Sequence, residues 1–292
     1  MKFNTIIEEI PASMAEECAK KGVVERIDYK TTNYLKEPED KYAFVYVPYG
    51  YDPQKEYEIM YLIHGGGETA EKYLYQDGEA NPLKKAVDHL MEEKTIQPSL
   101  IVTPSWYPKN TVDRGPDHRM LTENFRREIY DLMVAVESKY HTFAKTADDA
   151  GFTASREHRA VGGWSMGCCT TWWVFSEHIA WFNRFGHMSC DSWIVEKDGG
   201  RSKSEETAET LANCAREQGY SKKDFSSYII TGTKDFTFPN VALQAGAMLA
   251  FPDIWKFDGE DQNAIFLCWK DGEHHTPWRL QYSYNLIKNF LK

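Results

Sequence analysis

The 292-residue chain is long enough to form one large domain or two small ones. Hydrophobic residues make up 42% of it and charged residues 27%, a balance that allows a buried core and argues against intrinsic disorder. The formal net charge of -10 disfavours a nucleic-acid partner, because the phosphates would be repelled. No apolar run reaches the ~18 residues of a membrane span, and the apolar stretch near the N-terminus is too short for a signal peptide.

Short apolar runs alternate along the chain with longer helical patterns. Residues 43–47 form a strand candidate closed by a Pro-Tyr-Gly turn, and residues 59–63 are apolar throughout, as in strands buried on both faces. The remaining strand candidates are residues 100–103, 159–163, 228–231 and 264–269, and helical faces lie within residues 125–136 and 280–291. The alternation predicts an α/β fold with a mostly parallel central sheet and helices on both faces.

The chain shows no internal repeat and no low-complexity linker. We therefore expect a single domain over residues 1–292, in which residues 1–40 are the less certain N-terminal extension. Two charge-rich stretches, residues 148–159 and 197–206, are interpreted as surface loops or insertions. The six cysteines include no Cys-x-x-Cys pair, so a structural zinc site has no support and most of them are expected to be small buried residues. One internal disulfide is compatible with the sequence, but no pair can be assigned.

The segment Gly163-Trp-Ser-Met-Gly167 follows one strand candidate and precedes a helical stretch. Glycines on both sides of a serine indicate a backbone bend that is too tight for side chains. The serine is then either a turn residue or a nucleophile that the bend exposes. A Gly-x-Ser-x-Gly pattern between a strand and a helix is typical of a nucleophile elbow, so we interpret Ser165 as a nucleophile.

Three glycines follow the most apolar strand candidate, in the stretch His64-Gly-Gly-Gly67. Such a loop is flexible, cradles a phosphate, or lets backbone N–H groups approach a developing oxyanion. A phosphate loop is excluded because no Gly-Lys-Ser/Thr follows. We therefore expect the amides of Gly66 and Met166 to be the oxyanion donors, and His64 to be structural.

The order of the residues along the chain narrows the choice of the acid. In hydrolases with a nucleophile elbow, the acid follows the serine and the histidine follows the acid. Asp235 lies just beyond a strand candidate, in the segment Thr-Gly-Thr-Lys-Asp, and is the predicted acid. Asp191 is the reserve.

The general base must be one of the histidines that follow Ser165. His178 and His187 lie too close to the elbow to leave room for an acid on a later strand. His274 and His275 follow the last strand candidate and precede the last helix, where the base is expected. Position alone leaves both of them open.

Together, these motifs resemble those of the feruloyl esterases of carbohydrate esterase family 1, especially the modules attached to xylanases. The similarity runs from about residue 41 to residue 292. It is carried by the glycine loop, the approach to the elbow at residues 154–159, the segment at residues 188–193, the Thr-Gly-Thr-Lys-Asp segment, and the C-terminal histidine loop with its Tyr-x-Tyr helix.

The resemblance implies an α/β-hydrolase fold. It also implies a secreted serine esterase that releases ferulic or related hydroxycinnamic acids from plant cell-wall arabinoxylan, with no metal, cofactor, nucleic acid or membrane as partner. Counting back from the Tyr-x-Tyr helix places the family's base at His274. The chain departs from the family pattern at Cys168, Cys169 and Cys190, and at Lys234, which is inserted before the acid.

Asp191, Trp193 and Trp278 are candidate substrate-binding residues, the two tryptophans as flat walls for a phenolic ring or a sugar. Two other functions stay open. One is a different esterase of the same fold, either an acetyl-xylan esterase or an intracellular ester or thioester hydrolase. The other is a non-catalytic carbohydrate-binding protein with a relic triad, against which the complete set of serine, aspartate, histidine and glycines argues.

Overall fold

One eight-stranded sheet organises the fold in a computed structural model that describes residues 3–76, 78–112 and 117–292. The strands are, in chain order, β1 (Val23–Thr32), β2 (Pro38–Val47), β3 (Glu58–Ile63), β4 (Tyr75–Gln76), β5 (Glu79–Ala80), β6 (Ser99–Thr103), β7 (Arg159–Trp164), β8 (Arg184–Met188), β9 (Ser226–Gly232) and β10 (Ala264–Trp269). The short strands β4 and β5 form a separate antiparallel pair.

The helices that the structure describes are α1 (Pro82–Glu92), α2 (His118–Lys139), α3 (Asp149–Ala154), α4 (Met166–His178), α5 (Gly199–Ser202), α6 (Ser204–Glu217), α7 (Phe238–Met248) and α8 (Thr276–Phe290). Short 3-10 turns lie at Ala12–Ala15, Glu71–Tyr73, Pro108–Asn110 and Arg156–His158. Among the helices of the described ranges, none combines the length and the apolar character that a bilayer crossing requires.

The strands of the main sheet lie in the order β1-β2-β6-β3-β7-β8-β9-β10. The pairs β1–β2 and β2–β6 are antiparallel, and every neighbouring pair from β6 to β10 is parallel, so the sheet is mostly parallel as predicted. Parallel strands point the same way, so the loops that follow them leave the sheet at one edge. The loops after β3, β7, β9 and β10 carry the glycine motif, the serine, the predicted acid and the histidines.

Helices cover both faces of the sheet, and the sequence of β3 shows why. Ile59, Tyr61 and Ile63 belong to a core cluster that includes residues of α2, α4 and α6, whereas Met60 and Leu62 belong to a second cluster with residues of α1 and α8. Successive side chains of a strand point to opposite faces, so a strand covered on both faces needs an unbroken apolar run. All five side chains are at most 1% exposed.

All the strand candidates lie within observed strands, but two strands of the sheet have no apolar run. The edge strand β1 alternates buried and exposed side chains, with Ile27 and Tyr29 buried. The internal strand β8 contains Arg184, Gly186 and His187, which weaken any apolar signal. Pairing with neighbouring strands stabilises β1 and β8 in the sheet. Local sequence patterns do not report such tertiary contacts.

Residues 3–40, the described part of the predicted N-terminal extension, are not set apart from the rest of the structure. They contain β1 and the start of β2, which join the central sheet. Ahead of β1, the amides of Asn4, Glu8 and Ile10 donate to side chains of α8. The described part of this segment is therefore held against the last helix and the sheet. That the whole chain is a single domain stays a prediction.

The stretches at residues 148–159 and 197–206 lie largely at the surface, as predicted, but both contain helices and are not loops. The first stretch contains α3 and the buried Phe152, and it ends at Arg159, whose guanidinium lies 2.7 Å from the buried carboxylate of Glu137. The second contains α5 and the start of α6. A high density of charge suggested solvent exposure, but the Arg159 charge has an internal partner, and the charges of the second stretch lie exposed on or beside helices.

Candidate active site

Ser165 lies in the turn between β7 and α4, with backbone angles of φ 56° and ψ -123°. A positive φ is uncommon for a residue other than glycine and persists only where the surrounding structure holds it. Here the Ser165 N–H donates to the Met188 carbonyl, and the Ser165 carbonyl accepts from the N–H of Cys168, both over 2.8 Å. The structure thus contains the strand-turn-helix geometry that the sequence predicts for a nucleophile elbow.

The two glycines of the elbow are required by close backbone approaches. A Cβ at Gly163 would lie 2.1 Å from the carbonyl oxygen of Gly167, and a Cβ at Gly167 would lie 2.2 Å from the carbonyl oxygen of Ile63. Both separations are far below van der Waals contact. A side chain at Gly163 would therefore push the start of α4 away from β7, and one at Gly167 would push it away from β3, so either would displace the serine.

His274 connects Ser165 to Asp235. Its Nε2 lies 2.8 Å from the Ser165 Oγ, and its Nδ1 lies 2.9 Å from each carboxylate oxygen of Asp235. Nδ1 can donate only to the carboxylate, which leaves Nε2 to accept the serine proton, as a general base must. Trp164 stacks on the imidazole, with ring centroids 4.6 Å apart, and restricts its rotation. The structure therefore brings the predicted nucleophile, base and acid together.

The neighbouring His275 faces away from the serine. Its side chain is half exposed and lies 3.0 Å from the carboxylate of Glu273. Its backbone forms the N-cap of α8. Of the two histidines that position left open, the geometry supports His274 as the base.

The environment of Asp235 keeps its carboxylate ionised. Burial by itself raises the pKa of Asp235, but the hydrogen bond and charge of His274, together with the hydroxyl and amide of Thr237, lower the pKa below its ordinary value of 3.8. The Thr237 hydroxyl and amide both donate to Oδ1, over 2.6 and 2.8 Å. Because the folded-state pKa is depressed, ionised Asp235 stabilises the fold above its ordinary pKa, and this contribution is lost as the pH falls through the lowered value.

The loop that carries the acid is bonded to the loop that carries the base. The amides of Thr233 and Lys234 each donate over 2.9 Å to carbonyls at and just after the end of β10. In return, the amide of Asp271 donates to the Thr233 hydroxyl over 2.7 Å. The inserted Lys234 is thus part of this connection and does not separate Asp235 from His274.

In the glycine loop after β3, two of the three glycine amides are used within the protein. The N–H groups of Gly65 and Gly67 donate to side chains. In the part of the chain that the structure describes, the N–H groups of Gly66 and Met166 have no acceptor, and both residues line the same cavity as Ser165. A Cβ at Gly66 would lie 2.9 Å from the Met166 Sδ, so the two residues are neighbours. Both positions suit an oxyanion donor.

His64, which precedes the glycines, is fully buried. Its Nδ1 donates to the Gly65 carbonyl over 2.8 Å, and its Nε2 lies 2.9 Å from the Ser105 hydroxyl. Burial lowers the pKa of His64 to about 4, so the ring is neutral at neutral pH. These contacts agree with a structural role for His64.

A cavity of about 710 Å³ lies beside Ser165. Trp193 and Cys190, both nearly buried, line it, so Trp193 is placed where a pocket wall is predicted. The exposed ring of Phe236 also lines the cavity, as does His118. No motif or periodicity in the sequence marks these last two positions, and Phe236 is indicated only by its place next to the acid.

The two other candidate substrate-binding residues, Asp191 and Trp278, do not line this cavity. Trp278 lies on α8, which directs its ring toward Trp269, with centroids 5.3 Å apart. Asp191 is fully buried, and its carboxylate accepts the N–H of Gly200 over 2.8 Å. Trp278 therefore packs against the end of β10, and Asp191 holds α5 in place.

All six cysteines are free thiols, and four of them are buried. Cys168 and Cys169 lie in the first turn of α4, beneath the elbow, and the sulfur atoms of Cys169 and Cys190 are 3.1 Å apart. The three cysteines that depart from the family pattern therefore lie close together in the structure. Since Cys190 also lines the cavity, its side chain reduces the space that a glycine would leave.

The described residues contain one cluster whose donor atoms could hold a metal ion. The ligand atoms of Cys18, His89 and Glu92 all lie within 4.8 Å of one another. This cluster is formed by α1 and the segment before β1, and shares no residue with the site around Ser165.

Two curated relatives match this chain, one over nearly its whole length and one over about half, and both are much longer. No protein-family model matches it. Endo-1,4-beta-xylanase Y of Acetivibrio thermocellus is 30% identical over 294 residues, which is 99% of this chain and 25% of the relative. An endo-1,4-beta-xylanase/feruloyl esterase of Xylanibacter ruminicola is 27% identical over 160 residues, 53% of this chain and 20% of the relative. The chain therefore spans a quarter or less of the curated relatives that it matches.

Solved structures match over the full chain. A serine-to-alanine mutant of the feruloyl esterase module from Clostridium thermocellum, complexed with sinapinate, is 28% identical with a TM-score of 0.84, covering 100% of this chain and 96% of that one. A ferulic acid esterase of carbohydrate esterase family 1 from Anaeromyces mucronatus, complexed with ferulic acid, has the same fold at 17% identity and a TM-score of 0.69, covering 100% and 98%.

The sheet, the elbow and these matches define the class of protein: the chain is an α/β hydrolase, which confirms the predicted fold. Within that class it is similar to feruloyl esterase modules, and the resemblance predicted from the sequence motifs is confirmed.

The role of the acid gives a direct prediction. We expect Asp235→Asn to lower kcat roughly 10⁴-fold, because the amide can donate to Nδ1 and so favours the wrong imidazole tautomer. The measurement is steady-state hydrolysis of methyl ferulate, with circular dichroism to verify the fold. Asp191→Asn is the control, because its buried carboxylate has no contact with His274 in the described residues, and we expect kcat to stay within about tenfold. The opposite pattern would assign the acid to Asp191.

Proposed function

We propose that this chain is a serine esterase that releases ferulic or related hydroxycinnamic acids from feruloylated arabinoxylan. The observation that carries the proposal is the hydrogen-bonded line from Ser165 through His274 to Asp235, beside a cavity of about 710 Å³. Support for the acyl group comes from the similar module that binds sinapinate. Support for the polymer comes from relatives named as xylanases.

The first half of the reaction forms an acyl-enzyme. His274 takes the proton of Ser165 as Oγ attacks the ester carbonyl, and Asp235 stabilises the resulting imidazolium. The amides of Gly66 and Met166 stabilise the oxyanion, and loss of one such donor would lower the rate ~10²–10³-fold. When the tetrahedral intermediate collapses, the C–O bond to the sugar breaks and His274 gives its proton to the leaving oxygen.

The second half of the reaction frees the acid. His274, neutral again, takes a proton from a water molecule whose oxygen attacks the acyl carbonyl. Collapse of this second intermediate returns the proton to Ser165 Oγ and releases the hydroxycinnamate. Every proton in both halves moves between His274, Ser165, water and the leaving group.

We infer an extracellular setting as well, because an arabinoxylan polymer does not enter cells and an enzyme that acts on it must meet it outside. The chain matches only a quarter of the length of a xylanase relative, which agrees with an esterase unit that works beside a xylan-cleaving unit. Secretion would be tested by following the enzyme in the medium of the source organism.

The preference of the enzyme for one acyl group over another distinguishes this function from the alternative functions. Methyl ferulate and methyl acetate share a leaving group, so the ratio of their kcat/KM values reports only on the acyl side. Burial of the phenolic ring against Trp193 should favour methyl ferulate about 10- to 100-fold, the range expected when one aromatic ring leaves water. The measurement is product release by chromatography at several concentrations of each ester.

The possible results distinguish the three functions. A preference for methyl acetate would identify an acetyl esterase. Binding of xylan oligosaccharides without turnover of either ester would identify a carbohydrate-binding protein with a relic triad. The size of the cavity favours the larger acyl group, because an acetyl group would leave most of it to water.

A further inference from the structure

Phe236 is an exposed aromatic side chain within the site. It lies between Asp235 and Thr237, is 74% exposed, and lines the same cavity as Ser165. Its ring centroid is 4.3 Å from that of His274, with an angle of 50° between the ring planes. Of the nine large apolar side chains that are exposed in the described residues, it is the one that lines this cavity.

The fold gives no reason for an aromatic side chain at this position. The hydrogen bonds that hold the Asp235 carboxylate come from His274 and Thr237. The ring of Phe236 belongs to neither of the two core clusters. A phenyl ring exposed to water contributes no burial free energy to the fold. A ligand that covers the ring removes its apolar surface from water, and that free energy then favours binding.

The geometry of the reaction indicates which part of a substrate covers the ring. His274 Nε2 must reach both the serine oxygen and the leaving oxygen, so the carbon bonded to the leaving oxygen lies within about 4 Å of Nε2. A ring that packs on the imidazole and is open to solvent therefore lies beside the leaving alcohol. Trp193, which also lines the cavity and is only 5% exposed, suits the apolar acyl group.

We propose that Phe236 is a stacking platform for the sugar ring of the leaving group, and that it makes the enzyme prefer esters of sugars to esters of simple alcohols. The inference rests on the proposed function. A pentose presents an apolar C–H face that can cover the phenyl ring, while its hydroxyls and the attached polymer remain in water. Phe236 would thus select the leaving group without taking part in proton transfer.

The test compares two esters of the same acid, methyl ferulate and a feruloylated arabinose-xylose oligosaccharide. For Phe236→Ala, the ratio of kcat/KM for the oligosaccharide to that for methyl ferulate should fall about 3- to 10-fold, the range of one aromatic contact. Phe236→Trp should keep the ratio within about twofold, because it retains a flat ring. Leu35→Ala is the matched control, because it removes an exposed apolar side chain between β1 and β2 and should leave the ratio unchanged.

An unchanged ratio for Phe236→Ala would overturn this role in an active enzyme. If both esters kept their kcat/KM values, the ring would have no role in turnover. If both lost activity equally and the pH profile for methyl ferulate shifted, Phe236 would act through His274 and not on the leaving group. If the unaltered enzyme hydrolyses neither ester, the proposed function fails and this role fails with it.

Discussion

Ser165→Ala should lower kcat for methyl ferulate roughly 10⁶-fold, to the residual level that the oxyanion amides and substrate binding can supply. The loss follows from the loss of the nucleophile: Oγ lies 2.8 Å from His274 Nε2, and alanine offers no atom to form the acyl bond. The fold should persist, because the strained turn is held by backbone hydrogen bonds that alanine keeps. Steady-state kinetics, thermal denaturation and ferulate binding check the three parts of this prediction.

Ser189→Ala is the matched control for the serine. Ser189 follows β8, is fully buried, and has a φ of 53°, close to the 56° of Ser165. We expect this variant to keep kcat within about tenfold, since its hydroxyl has no contact with the triad in the described residues. If Ser165→Ala kept more than a few per cent of the activity, Ser165 would not be the nucleophile.

His274→Ala should be as inactive as Ser165→Ala, again with a loss of roughly 10⁶-fold in kcat, because the members of a triad act as a unit. Without the imidazole, the serine proton has no acceptor and the Asp235 carboxylate has no charge to stabilise. The measurement is kcat and KM for methyl ferulate, together with a melting temperature to exclude unfolding.

His275→Ala is the adjacent control for the base. Its ring is half exposed and bonded to Glu273, so we expect measurable turnover with a change mainly in KM. An active His274→Ala beside an inactive His275→Ala would transfer the base to His275. It would also contradict the register of the loop between β10 and α8.

Local sequence patterns predicted the main residues of the site because each of them lies in a recognisable motif or has a restricted place in the order along the chain. The glycines mark the elbow at Ser165 and the loop at Gly66, and the order of serine, acid and histidine along the chain restricts Asp235 and His274. Patterns could not choose between His274 and His275, because neighbouring residues in a loop point in directions set by the loop's hydrogen bonds. The resemblance made that choice, and the geometry supports it.

The walls of the cavity were harder to predict than its catalytic residues. The sequence offers Trp278 as a flat wall for a phenolic ring or a sugar, but helical geometry directs it to Trp269. Phe236 was missed because a single aromatic residue in a loop has no periodicity. Which rings meet in a cavity depends on how loops from separate strands pack, and this is a tertiary property.

The connection between the acid loop and the base loop has a consequence for local unfolding. Thr233, Lys234 and Asp271 join the two loops through backbone donors, so neither loop can open without breaking hydrogen bonds of the other. Segments linked in this way open as one cooperative unit, so hydrogen exchange of their amides should report one common free energy of opening. When the two loops open together, Asp235 and His274 leave their places at the same time, and such a molecule has no complete triad.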